Sequence, residues 1–209
     1  ADAPCNAKPY SLGTQKVLEY GRVKTTDGSL KYMLNWPAFG NDYYINVVEK
    51  KPIEREAHYN AAKNFTLGFI YFLQTELKQP QIGLATDEVN EGMAYMPYNR
   101  EGRRLKGKVR LNIDHIAKPF NYNLYRTGIS VGDYPVDHHH ARYNGKVPPI
   151  PFPSVPSFNI PLGALIPENT QGLVVCEKGI SVSNIANGTT RLQPVVLLTG
   201  QAAGMLAAI

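Results

Sequence analysis

Apolar residues return at three- to five-residue steps between Pro52 and Leu77: Ala57, Ala61, Phe65, Phe69, Phe72 and Leu77. That spacing keeps them near one face and predicts a helix. Pro52 suits its first position, and Glu54 and Glu56 place negative charge where the helix dipole favours it. The helix should stop near residues 77–79, ahead of Pro80, and its aromatic stripe reads as core. Elsewhere the pattern alternates with period two. Leu18–Val23 and Lys31–Trp36 predict short strands around a turn at Asp27-Gly28, with Trp36-Pro37 closing the second.

Lys108-Val-Arg-Leu111 predicts a strand with one wet face, and Leu124–Val136 a further strand region interrupted at Gly128 and Gly132. Six prolines between residues 144 and 161 (Pro148, Pro149, Pro151, Pro153, Pro156 and Pro161) predict an extended connection, because proline denies both helix and central-strand bonding. Past Pro167 the texture changes. Leu173-Val-Val-Cys176 predicts a short strand of the kind buried on both faces of a parallel sheet. A small-residue loop over Ser181–Thr190 follows, and then a largely apolar helix opening at Pro194. Gly200 and Gly204, four apart on one face, would let that helix approach a neighbour closely. Strand, loop and helix together describe half of a nucleotide-binding α/β unit.

The 209 residues suit one generous domain, 43% hydrophobic and 19% charged. Thirteen Tyr and seven Phe leave too much surface wanting burial for a disordered chain. No eighteen-residue apolar run exists, which excludes a transmembrane helix from the expectations. The net charge of +5 is spread along the chain, apart from Arg103, Arg104, Lys106, Lys108 and Arg110. Such a spread fits an anionic ligand and argues against nucleic acid. Cys5 and Cys176 are too few for a disulfide framework or a cysteine-rich metal site. Cys176, within an apolar run, reads as an inert buried thiol. The sequence opens on Ala1 and its last helical pattern stops at Ile209 without a cap, so it reads as a piece of a longer protein.

Three constellations could carry chemistry. Gly188-Thr-Thr-Arg-Leu-Gln-Pro194 feeds a helix N-terminus, where backbone N–H groups and the dipole attract anions. Thr hydroxyls and the Arg191 fork add donors, although simple helix capping explains the same residues. Asp133-Tyr134-Pro135-Val136-Asp137-His138-His139-His140 places Asp137 and His139 on one face of a strand. Adjacent ligands on a strand point apart, and His58 and His115 lie in other segments, so no metal site is expected. A catalytic or substrate-binding histidine and a packed one both stay open. Arg103-Arg104, after Glu101, is either a solvated strand end or a clamp for a carboxylate or cofactor. No Gly-x-Ser-x-Gly elbow, Gly-x-Gly-x-x-Gly fingerprint or Walker loop occurs.

Leu173-Val-Val-Cys-Glu-Lys-Gly-Ile-Ser-Val-Ser183, Asn187-Gly-Thr-Thr-Arg-Leu-Gln-Pro194 and Gly200-Gln-Ala-Ala-Gly204 resemble the end of the FAD-dependent oxidoreductase family of the glutathione-reductase-like superfamily. Gly40-Asn41-Asp42, Arg103-Arg104 and Tyr134-Pro135-x-Asp137-x-His139 match the same family, some members of which are labelled xanthan lyase. The likeness covers roughly residues 30 to 209. It implies an α/β architecture in two parts. Residues 1–168 would be a substrate domain of mixed or antiparallel sheet and helices. Residues 169–209 would be the last strand, loop and helix of a Rossmann-like FAD-binding domain.

The resemblance also implies the cofactor and the site. Gly188, Thr189, Thr190, Arg191, Gln193, Pro194 and Gln201 would border the FAD ring and ribityl chain. A helix N-terminus there contributes about 0.3–2 kcal/mol toward negative charge on the reduced ring. His139 with Asp137 would accept a proton as hydride leaves a small hydroxylated substrate for flavin N5. Arg104 would hold that substrate, with Arg103 and Tyr134 beside it. Where the superfamily often shows Gly-Asp after the last strand, Glu177-Lys178 stand here. The Gly-rich βαβ unit for the ADP half of FAD is not in the sequence. The expected partner is therefore an N-terminal FAD-binding half, and the isolated chain is expected to be inactive. Two alternatives are a polysaccharide lyase, with Tyr134 or His139 as base and Arg103 or Arg104 neutralising a uronate, and a binding module without chemistry.

Overall fold

The structure is a computed structural model that describes residues 18–19, 21–33, 43–45, 47–138 and 151–209. Gly40-Asn41-Asp42, Trp36-Pro37, His139, His140, Pro148, Pro149 and Cys5 lie outside these residues. The chain divides into two compact units, Ala1–Pro97 with His140–Pro148 and Tyr98–His139 with Pro149–Ile209.

In the first unit, strands β1 (Arg22–Lys24) and β2 (Leu30–Tyr32) pair antiparallel, Arg22 opposite Tyr32. The chain reverses at Gly28, whose φ of 87° is open to glycine at little cost. Asp27 accepts from the Thr25 hydroxyl at 2.5 Å and the Ser29 N–H at 3.0 Å. Those bonds, Thr25 first, hold its carboxyl down to about 2. Helix α1 (Pro52–Thr75) follows the predicted span. At its start the Lys51 N–H donates to the Glu54 carboxylate at 2.8 Å, the reciprocal half of a capping box.

Only the last third of the α1 stripe is buried: Phe69, Ile70 and Leu73 sink, and Phe69 and Leu73 cluster with Ile82, while Ala57 stays exposed. Leu18 and Tyr32 of the N-terminal hairpin region pack on this cluster. The hydrophobic period thus gives the helix, whereas burial depends on which neighbours reach it.

The second unit contains strands β3 (Gly128–Gly132) and β4 (Phe158–Pro161), paired antiparallel with Gly132 opposite Phe158. Its helices are α2 (Ile113–Ala117), α3 (Asn184–Thr190) and α4 (Gln193–Ala207). One core joins them, centred on Leu111, Ile116, Phe158, Ile160, Leu165 and Val182. Segments 98–138 and 169–209 both contribute to it. At the start of α2, Asn112 Oδ1 accepts the N–H groups of Asp114 and His115, at 3.0 and 3.1 Å. The His115 Nδ1 accepts the Asn112 N–H at 3.2 Å in return. Burial pushes the His115 imidazole below its ordinary 6.5, with Asp114 opposing.

Among the described residues there are four helices and two small antiparallel sheets, and no Rossmann-like parallel sheet. Leu173–Cys176, expected as a doubly buried strand, is extended but unpaired as a strand, with Leu173 exposed and Cys176 half-buried. A parallel strand needs neighbours alongside, whereas here the Val175 N–H donates to the Leu165 carbonyl at 2.9 Å. Lys108–Leu111 likewise forms isolated bridges at its borders, Gly107 to Pro167 and Leu111 to Val182.

The expected loop over Ser181–Thr190 is a second correction, because α3 starts at Asn184. The Ser183 hydroxyl accepts the Ala186 N–H at 3.2 Å, an N-cap that offsets the poor helix propensity of Asn, Gly and Thr. The proline-rich connection ends as β4, where Pro161 closes a strand of a two-stranded sheet. No described helix is long and apolar enough to cross a membrane.

Candidate functional site

Helix α3 organises the second unit's polar residues. Asn184, Gly188 and Arg191, four and three residues apart, share one side of it and its C-terminal cap. Asp137 and His138 run against that side. His138 Nε2 lies 2.7 Å from Asn184 Oδ1, a hydrogen bond. A Cβ on Gly188 would stand 2.6 Å from the Asp137 carbonyl oxygen and 3.1 Å from its carbon. Arg191 donates from one terminal nitrogen to that carbonyl at 2.8 Å and to Asp137 Oδ2 at 3.0 Å. The Arg191 side chain is only 4% exposed, so its charge needs this pairing to be tolerated.

The same helix holds a second segment. Asn187, 1% exposed, donates from Nδ2 to the Arg100 carbonyl at 3.1 Å and to Glu101 Oε1 at 2.8 Å. Its Oδ1 is buried and has no hydrogen-bond partner among the described residues. The other Glu101 oxygen, Oε2, accepts Arg104 in an ion pair. Lys178 adds a bond from Nζ to the Asn99 carbonyl at 2.9 Å and stands 4.4 Å from the Tyr98 ring centroid. Residues 98–104 are thereby tied to the elements around α3.

Helix α4 begins two residues after the last Arg191 contact. Its cap residue Leu192 has a side chain that cannot bond the first N–H groups, and Gln193 and Pro194 are exposed. Val195 and Thr199 turn into the core. Leu197, Gln201 and Met205 face outward. The Thr199 hydroxyl accepts the Glu177 N–H at 3.3 Å, which fastens the Glu177-Lys178 turn to α4. Glu177 itself sits in the left-handed region at φ 57°.

The structure brings together Asp137, Gly188 and Arg191 by direct contact, and adds Arg104 through Glu101 and Asn187. Thr189 and Thr190 are buried in α3, and the Thr189 hydroxyl returns to the Ala186 carbonyl at 2.9 Å. Of the seven residues expected at the flavin, Gln193, Pro194 and Gln201 are exposed, whereas Gly188, Thr189, Thr190 and Arg191 are buried. Arg103 and Tyr134 are exposed, and His139 lies outside the described residues.

Sequence reasoning noted Glu101 before Arg103-Arg104 and Asn187 within a motif but gave them, like Asn184, no role in the site. Their signals were present: Asn187 opens the Asn-Gly-Thr-Thr-Arg motif, and Glu101 stands three residues before Arg104. Among the described residues no three His, Cys, Asp or Glu side chains converge as metal ligands. A family model described as FAD dependent oxidoreductase matches residues 3–209. No curated protein and no solved structure matches the chain.

Proposed function

The chain belongs to the FAD-dependent oxidoreductase family, and from that membership we propose that it forms the substrate-facing and ring-facing part of an enzyme that oxidises a small hydroxylated molecule. One observation carries the reading: α4 opens with exposed Gln193 and Pro194 and with a cap residue, Leu192, whose side chain makes no capping bond. Helix N-termini stabilise negative charge placed before them, which suits a ring that gains electrons. Gln201 lies seven residues beyond Pro194, close to the same side of α4, and is exposed like it. These three residues fit an extended polar group laid along the helix. Gly188–Arg191 support it from inside the fold rather than by contact.

Bound FAD supplies the hydride acceptor, a reaction that no side chain can perform. The chain's own residues do the rest. Arg104, held by Glu101, orients the substrate through its polar groups. The Asp137–His139 pair takes the proton of the hydroxyl being oxidised, so that the substrate leaves as a carbonyl compound. Arg103 and Tyr134, both exposed, border the same substrate. A segment outside these residues, the N-terminal FAD-binding half, holds the ADP end. Family membership favours this redox chemistry over elimination by a lyase.

Anaerobic spectroscopy of the full-length protein tests the proposal. The purified protein should be yellow, and a panel of sugars and hydroxy acids should include one that bleaches the flavin absorbance. A colourless full-length protein that fails to take up added FAD overturns it.

A further inference from the structure

Helix α3 touches both segments to which the proposed reaction assigns its proton acceptor and its substrate clamp. Asn184, Gly188 and Arg191 hold Asp137-His138 by a hydrogen bond, a backbone contact too close for any Cβ, and an ion pair between the buried Arg191 and a half-exposed Asp137. From a neighbouring position on the helix, Asn187 holds Arg100 and Glu101, and Glu101 holds Arg104. Asn187 keeps this role although its own carbonyl oxygen is buried and finds no partner among the described residues. An unmet buried acceptor is costly, and an apolar residue of like size would avoid that loss. What an apolar residue cannot supply is two N–H groups aimed at the Arg100 carbonyl and the Glu101 carboxylate.

We infer that α3 is a bracket for two segments in which Asn187 and Arg191 are positioning residues, Asn187 setting Arg104 through Glu101 and Arg191 setting Asp137. The contacts are independent of any cofactor; only the roles of Arg104 and Asp137 rest on the function proposed above. The two sets of contacts act separately. Loss of Asn187 loosens residues 98–104, which Lys178 still holds at Asn99, and leaves Asp137 in place; loss of Arg191 loosens Asp137, beside which Asn184 still holds His138, and leaves residues 98–104 in place. Asn187 reaches Arg104 only by way of Glu101, so its effect on Arg104 should reproduce that of changing Glu101.

Hydrogen exchange by mass spectrometry, with nitrogen-15 spectra of the arginine side chains, tests this on the chain itself without flavin. In Asn187→Leu, exchange across residues 98–106 should rise about tenfold while 130–138 and 158–166 change less than about twofold. The Arg104 Nε–Hε signal should move toward its position in Glu101→Gln. In Arg191→Met, exchange should rise by a similar factor across 130–138 only, and Arg191→Lys should recover part of the protection. Asn187→Ser and Arg191→Lys serve if the larger changes prevent folding. Exchange rising in all three regions together, or an Arg104 signal unmoved by the Asn187 variants, overturns the bracket. A colourless full-length protein with this exchange pattern intact would fault the flavin proposal and leave the bracket standing.

Discussion

Adding one methyl group should have opposite effects on two helices of the second unit. At Gly188 a Cβ would stand 2.6 Å from the Asp137 carbonyl oxygen and 3.2 Å from its backbone nitrogen. Both atoms belong to backbone, so neither can swing aside as a flexible side chain would. At Gly204 in α4 the same atom would meet nothing within 4 Å. Each substitution gains about 1 kcal/mol from the better helix propensity of alanine. Gly188→Ala also forces backbone apart, at about 1–3 kcal/mol for overpacking.

Gly204→Ala should therefore stabilise the chain by about 1 kcal/mol. Gly188→Ala should be neutral or destabilising by up to about 2 kcal/mol. A separation of about 2 kcal/mol corresponds to roughly 4–8 °C in melting temperature for a chain of this size. Urea unfolding followed by circular dichroism, with thermal melts as a check, gives both values. Gly188→Ala proving as stable as Gly204→Ala would refute the close approach of Asp137 to α3, and with it the placement of the candidate site.

The Arg191–Asp137 pair should be asymmetric. Asp137→Ala leaves a guanidinium that is 4% exposed with one backbone partner, at about 2–3 kcal/mol, whereas Arg191→Met removes the buried charge and should lose less. Equal losses in urea unfolding contradict that order. His115 should make stability depend on pH. Its folded value lies below the ordinary 6.5 because of burial, so the unfolded chain binds more protons and stability rises with pH. The contribution is complete above that ordinary value and is lost as pH falls toward the folded one, when Nδ1 can no longer accept the Asn112 N–H. His115→Gln, which keeps a capping acceptor, should flatten the stability profile between about pH 5 and 7; an unchanged slope contradicts the assignment.

Local signals predicted local structure well. The period of Phe65, Phe69 and Phe72 with Pro52 in front predicts α1, and Asp27-Gly28 predicts the β1–β2 reversal. Long-range pairing was not legible. An apolar run such as Leu173–Cys176 becomes a strand only if other strands lie beside it, and nothing in its own residues says whether they do. Helix α3 was hidden for another reason. Asn, Gly and Thr favour turns unless a cap and a packed face outweigh them, and here the Ser183 cap and burial of Ala186 and Asn187 do so.

The site divides in the same way. Asp137, Arg104, Gly188 and Arg191 were visible as residue types suited to chemistry. The bond between Asn187 and Glu101, which joins distant parts of the site across more than eighty residues of chain, was not. A hydrogen bond between distant segments leaves no periodicity to read. Burial of Arg191 was equally hidden, because an arginine is expected at the surface unless its charge is paired.

The midpoint potential of FAD bound to the full-length protein tests the role of the α4 N-terminus most directly. Gln193→Glu would place a carboxylate at the exposed start of that helix. If the ring lies there, the added charge should disfavour its reduced form by about 1 kcal/mol. For a two-electron couple that lowers the potential by about 20 mV. A potential equal to that of the unchanged protein would contradict the account.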